Sequence, residues 1–108
     1  TDEEFLRKLN SILVDNISEN DVSVEKIADL MGTSVSTLYR KVKALTDMNS
    51  VEYIRLVKLK KAAELLSEGS YRINEIAYLV GFPSQSYFAT SFQKQFGISP
   101  SQFIKNLK

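Results

Sequence analysis

The chain contains no cysteine and no histidine. Their absence excludes disulfides, thiolate metal sites and the Ser-His or Cys-His pairs that activate a nucleophile. Lack of cysteine fits a reducing compartment, and the cytoplasm is the expected location. Long apolar runs are missing too. The longest, IAYLVGF, is interrupted by Gly81, so no segment is expected to cross a membrane. The opening TDEEF is neither a signal nor a transit peptide. No stretch keeps a period-two alternation, which argues against strands. The four glycines are dispersed and form no phosphate-cradling loop, and no cofactor or metal is expected. The acids Asp2, Glu3 and Glu4 sit where a first helical turn would be capped. An enzyme is therefore not expected.

What is present is unevenly charged. Residues 1–34 hold eight acids against three bases, whereas residues 35–61 hold seven bases against two acids. The net charge of +1 hides this division. A polyanion would be met by the basic middle, although a solvated basic helix face has the same signature.

Apolar spacing is helical almost throughout, and it predicts about seven helices in an all-α fold. Phe5, Leu6, Leu9, Ile12 and Leu13 form a stripe on a first helix. Ser23 opens a short helix with Ile27, Ala28, Leu30 and Met31 turned inward, ending at Gly32. Ser34 caps the next, with Leu38, Val42 and Leu45 inward. NSVEYIRLVKLKKAAELLSEG is the longest helical stretch, closing at Gly69. Ile73 to Val80 forms another short helix before Gly81, and an aromatic helix with Tyr87, Phe88, Phe92 and Phe96 ends at Gly97. Ser99, Pro100 and Gln102 open the last as cap, first helical position and capping-box partner.

The chain repeats itself. VEKIADLMG (24–32) aligns with INEIAYLVG (73–81), and SVSTLYRKVKALTDMNSVEYIR (34–55) with SQSYFATSFQKQFGISPSQFIK (84–105). Ser36 matches Ser86, Leu38 matches Phe88, Val42 matches Phe92, and Asp47 matches Gly97. Two copies make a duplicated unit and no solenoid. Each copy is a short helix, a glycine turn and a longer helix, the helix-turn-helix plan. In each short helix Ile and Leu are expected to bury around an Ala that admits close approach.

Helical angle separates the two sides of each longer helix. With Ser36 as origin, Arg40 lies at about 40°, Lys43 at about 340° and Tyr39 at about 300°, while Leu38 and Val42 lie opposite. Arg pairs bidentately with guanine, and Ser and Tyr offer hydrogen bonds or packing. In the second copy Phe88 and Phe92 share the inner side and Ser86, Ala89, Thr90 and Gln93 the outer one. Thr90 stands where the first copy has Arg40, and Gln85 or Gln93 can reach an adenine. On the linking helix, Arg55, Lys58, Lys60 and Lys61 can touch phosphates, face solvent or stitch the halves together.

STLYRKVKALT…EYIRLVKLKKAAELL…INEIAYLVGF…SYFATSFQKQFGISPSQF resembles the C-terminal DNA-binding domain of AraC-type transcriptional regulators over about residues 20–106. The resemblance implies two helix-turn-helix subdomains joined by a long helix, with two recognition helices in successive major grooves of double-stranded DNA. The implied division is an N-terminal helix over 1–19, a first subdomain over 20–50, a linking helix over 51–69 and a second subdomain with a C-terminal helix over 70–108. The candidate contacts in the first copy are Ser34, Ser36, Thr37, Tyr39, Arg40 and Lys43. In the second they are Ser84, Gln85, Ser86, Ala89, Thr90 and Gln93. The family often carries Arg or Lys at the place of Thr90 and Lys at that of Gln93, and Gly, Ser and Pro where this chain has Asp47, Asn49 and Ser50.

FLRKLNSILVDNIS resembles the segment before this domain in hybrid two-component regulators. It implies sensor, kinase and receiver parts upstream on the same polypeptide. Further expected partners are RNA polymerase and a second copy joined through regions outside this chain. The competing expectation is a helical protein-interaction module that docks a partner through the acidic N-terminal helix.

Overall fold

The computed structural model of the protein describes residues 1–17 and 23–107. Among them lie seven helices and no strand: α1 Asp2–Asp15, α2 Val24–Met31, α3 Val35–Thr46, α4 Ser50–Glu68, α5 Ile73–Leu79, α6 Gln85–Phe96 and α7 Pro100–Asn106. The all-α fold follows the sequence pattern. The expected boundary between residues 19 and 20 lies outside the described residues. No described helix is long and apolar enough to cross a membrane.

Helix ends sit where local chemistry puts them. Thr1, Ser23, Ser34, Ser84 and Ser99 each accept an amide hydrogen from the first turn of the helix they open. Asn49 opens α4 with a reciprocal capping box: its Oδ1 accepts from the Glu52 N–H at 2.8 Å, and its own N–H donates to Glu52 Oε1 at 3.2 Å. At α7 the expected box is not formed, because the Gln102 side chain donates forward to Asn106 Oδ1 at 2.9 Å. Gly32 and Gly97 end α2 and α6 in the left-handed region, where a side chain would be strained.

The helices fall into two compact units. The first takes α1, α2, α3 and α4 as far as Val57, and the second takes α4 from Lys58 onward with α5, α6 and α7. In the first, Leu9 and Leu13 from α1 pack with Ile27, Ala28 and Met31 of α2 and with Leu38 and Val42 of α3. Phe5, Ile12, Tyr53, Ile54 and Val57 close over this cluster. The apolar stripe of α1 is thus used inside its own unit.

In the second unit Leu59, Ala62 and Leu66 of α4 take the part of α1. They pack with Ile76, Ala77, Val80, Phe82, Phe88 and Phe92. Edge-on aromatic contacts knit this core, Phe82 with Phe88 at 5.4 Å and Phe92 with Phe103 at 5.7 Å between centroids. Each unit is therefore a helix, a helix-turn-helix pair and a closing helix, and α4 serves first as the closer of one and then as the opener of the next.

One inward assignment is corrected. Leu30 is 44% exposed, whereas Ile27, Ala28 and Met31 are buried as expected. Ile27 and Ala28 centre the buried face of α2, and the residue four after Ile27 falls nearer that centre than the residue three after it. Val80 holds the matching place in the second copy, fully buried. Tyr87 and Phe96 are likewise partly exposed, whereas Phe88 and Phe92 are fully buried.

Candidate nucleic-acid interface

The two helix-turn-helix turns are built alike at the level of single backbone bonds. In the first, Gly32 N–H donates to Asp29 O and Thr33 N–H to Ala28 O, both at 3.0 Å. In the second, Gly81 N–H donates to Tyr78 O and Phe82 N–H to Ala77 O, again at 3.0 Å. Beyond the turn the copies diverge. Phe82 is buried where Thr33 is half-buried. Lys58 donates to the Gly81 carbonyl at 3.2 Å and lies over the Phe82 ring at 6.0 Å. Burial pushes the Lys58 ammonium below its usual pKa. Lys61 is 3.3 Å from Glu64. Of the open options for the bases of α4, these two serve contacts inside the second unit.

The longer helices share their length and both ends. α3 and α6 each run for twelve residues. Ser34 Oγ accepts from Thr37 N–H and Ser84 Oγ from Tyr87 N–H, both at 3.1 Å. Asp47 and Gly97 terminate them with φ of 61° and 83°, their N–H groups returning to Lys43 O and Gln93 O. Equal ends keep the register equal, so the residues paired by the sequence repeat occupy equivalent places on the two helices.

On α3, Ser36, Tyr39, Arg40 and Lys43 are exposed while Leu38 and Val42 are buried. Among the described residues, the side chains of Ser36, Tyr39 and Arg40 make no hydrogen bond or ion pair. Their polar groups are open to an external partner. Lys43 is exposed as well, but its ammonium donates to the Asp47 carbonyl oxygen at 3.0 Å and stands 3.4 Å from the Asp47 carboxylate. Ser34 and Thr37 are joined by a hydroxyl–hydroxyl bond of 3.0 Å and serve the helix start. Lys41, next to Arg40 in the chain, turns back over the Phe5 ring at 5.0 Å and ties α3 to α1.

On α6, Ser84, Gln85, Ser86, Thr90 and Gln93 are exposed and Ala89 is half-buried. Ser84 is occupied as the cap, whereas Gln85, Ser86, Thr90 and Gln93 have no side-chain partner among the described residues. Neither α3 nor α6 contains an acid, and none occurs in the chain after Glu75. Lys94 has Ala44 as its counterpart on α3, so the repeat does not point to it. Lys94 is exposed and one turn beyond Thr90, so its charge and its four-residue spacing were the signal for it.

Comparison with known proteins agrees with this architecture. A family model described as a helix-turn-helix domain matches residues 27–106. A protein named histidine kinase P4, from Formosa agariphila, is 39% identical over 102 residues, covering 94% of this chain and 7% of that protein. The HTH-type transcriptional activator RhaS from an Enterobacter species is 34% identical over 97 residues, covering 90% of this chain and 34% of the relative. The chain thus spans about a third or less of these relatives. Among solved structures, the C-terminal domain of AraT, a response regulator from Geobacillus stearothermophilus, matches with a TM-score of 0.82 at 30% identity, over 94% of this chain and 84% of that one. A transcriptional regulator with an AraC-type DNA-binding domain from Chromobacterium violaceum matches with a TM-score of 0.88 at 26% identity, over 97% and 93%.

Proposed function

As this chain belongs to the AraC-type family of helix-turn-helix domains, we propose that it binds specific sequences of double-stranded DNA and thereby regulates transcription. One observation carries the reading. Two helices of equal length and capping carry no acid of their own, and Ser36, Tyr39 and Arg40 on one and Gln85, Ser86, Thr90 and Gln93 on the other have no side-chain partner among the described residues. These exposed side chains are hydrated in the free chain, and base edges in a major groove offer donors and acceptors that can replace that water. The proposed contacts are Ser36, Tyr39 and Arg40 of α3 and Gln85, Ser86, Ala89, Thr90 and Gln93 of α6, with α3 and α6 in successive major grooves. Lys94 joins them as a phosphate contact.

The chain acts, in this reading, as the output part of a two-component regulator in the cytoplasm. The names of the relatives, one a histidine kinase and one a response regulator, support that placement. Upstream sensor and receiver parts, RNA polymerase and a second copy are the partners it would serve.

Selection from a random duplex pool, followed by titration over a range of salt concentrations, tests the function. A preferred sequence emerges, and its affinity falls linearly in log–log form as salt rises. Equal binding of selected and random duplexes at low salt would refute the proposal.

A further inference from the structure

The two faces that would meet DNA differ in chemistry. On α3 the free group is a guanidinium, Arg40. At the equivalent place α6 carries Thr90, and at the place of Lys43 it carries Gln93. Gln93 is four residues beyond Ala89 and three beyond Thr90, so the three share one side of α6, with Thr90 and Gln93 exposed and Ala89 half-buried. The Gln93 amide has no partner among the described residues.

An amide presents one acceptor and a pair of donors, which complement the N6 donor and N7 acceptor of adenine. The methyls of Ala89 and Thr90 complement the C5-methyl of thymine. Guanine offers only acceptors in the major groove, so it would leave the amide oxygen unpaired. Cytosine offers a donor best met by a carboxylate, and α6 has none. Arg40 has the opposite preference, its paired donors matching guanine O6 and N7.

We infer that this chain reads a chemically unequal site, with α3 selecting a guanine-bearing element through Arg40 and α6 selecting an A·T element through Gln93 backed by Ala89 and Thr90. The inference rests on the DNA-binding reading above, and it goes further by naming the sequence class that each helix takes.

Selection from a random duplex pool with the wild-type chain and the exposed-surface variants Arg40→Ala, Gln93→Ala and Thr90→Arg tests it, with helical content checked by circular dichroism. The wild type yields two elements, one with a fixed G·C pair and one of A·T pairs. Arg40→Ala relaxes the first element alone. Gln93→Ala lowers A·T discrimination in the second by about tenfold or more and leaves the first intact. Thr90→Arg brings guanine into the second element. A wild-type second element rich in G·C, or a random one, overturns the inference while DNA binding stands. So does an A·T preference that Gln93→Ala leaves unmoved. A pool with no enrichment at all overturns both readings.

Discussion

Lys43 and Asp47 close α3 as a pair: the Lys43 ammonium bonds the Asp47 carbonyl at 3.0 Å, and the Asp47 carboxylate stands 3.4 Å away. Asp47 is also the one described non-glycine residue with positive φ, at 61°. The second copy has Gly97 there, with φ 83°. Asp47→Gly removes a strained residue at the expense of an exposed ion pair worth little. Stability in urea should rise by about 0.5–1 kcal/mol. Freed from its acidic neighbour, Lys43 becomes available to phosphate, and the salt dependence of DNA binding should steepen by about one unit of slope. A variant with unchanged stability and unchanged slope would show that the pair is inert.

Ser50 has a buried hydroxyl with no hydrogen-bond partner. It is the first residue of α4, where the repeat places the buried Pro100 of α7. Proline at this position loses no helical hydrogen bond and has its φ already set. Ser50→Pro is expected to stabilise the chain by about 1 kcal/mol, partly by narrowing the unfolded ensemble. A lower thermal midpoint would reveal a clash in the first unit.

Arg40 has no partner within the described protein, so its removal should leave stability unchanged within about 0.5 kcal/mol. Binding to the selected duplex should weaken by about 1–3 kcal/mol, with loss of preference at one base pair. Lys94→Gln provides the contrast: equal weakening on all sequences and a salt slope lower by about one. Titrations on matched and mismatched duplexes separate the two behaviours.

Tyr53 donates its phenol to Asn10 Oδ1 at 2.6 Å, joining α4 to α1. Burial raises its pKa above 10.0. The folded chain therefore holds this proton to higher pH than the unfolded chain. The stability linked to Tyr53 is complete below pH 10.0 and is lost as pH rises through the raised folded value. Tyr53→Phe should cost about 0.5–1 kcal/mol at neutral pH and flatten that part of the alkaline decline. Urea melts at several alkaline pH values would expose a wrong sign.

Leu9 is almost wholly buried, at 2%. Leu9→Ala should destabilise the first unit by about 2–4 kcal/mol through lost burial and the cavity left behind. A docking helix with its apolar stripe reserved for another protein would tolerate the change, and unaltered stability would revive that alternative.

Much of this was legible in the chain. Helix starts were, because Ser23, Ser34 and Ser99 act on amides within three residues of themselves. So were the inner faces of α3 and α6, since Leu38 and Phe88 recur at equivalent helical angles. Leu30 was misassigned because it is apolar, although helical angle sets it well off the centre of the Ile27–Ala28 face and Met31 close to it. Gln102 satisfied a capping pattern and then bonded Asn106, since two partners were in reach of one flexible amide.

By itself, then, the sequence determined whatever depends on neighbours along the chain: the helices, their caps, the duplication, and which side of each long helix is apolar. The tertiary structure decided which polar groups remain available. Lys58 is engaged by the Gly81 carbonyl and Lys41 by the Phe5 ring, while Arg40 and Gln93 have no partner among the described residues. All four are polar side chains on helices, and their residue types alone do not separate them. The difference arises because burial and hydrogen bonding depend on what another helix brings within a few ångströms, and sequence spacing carries no record of that distance.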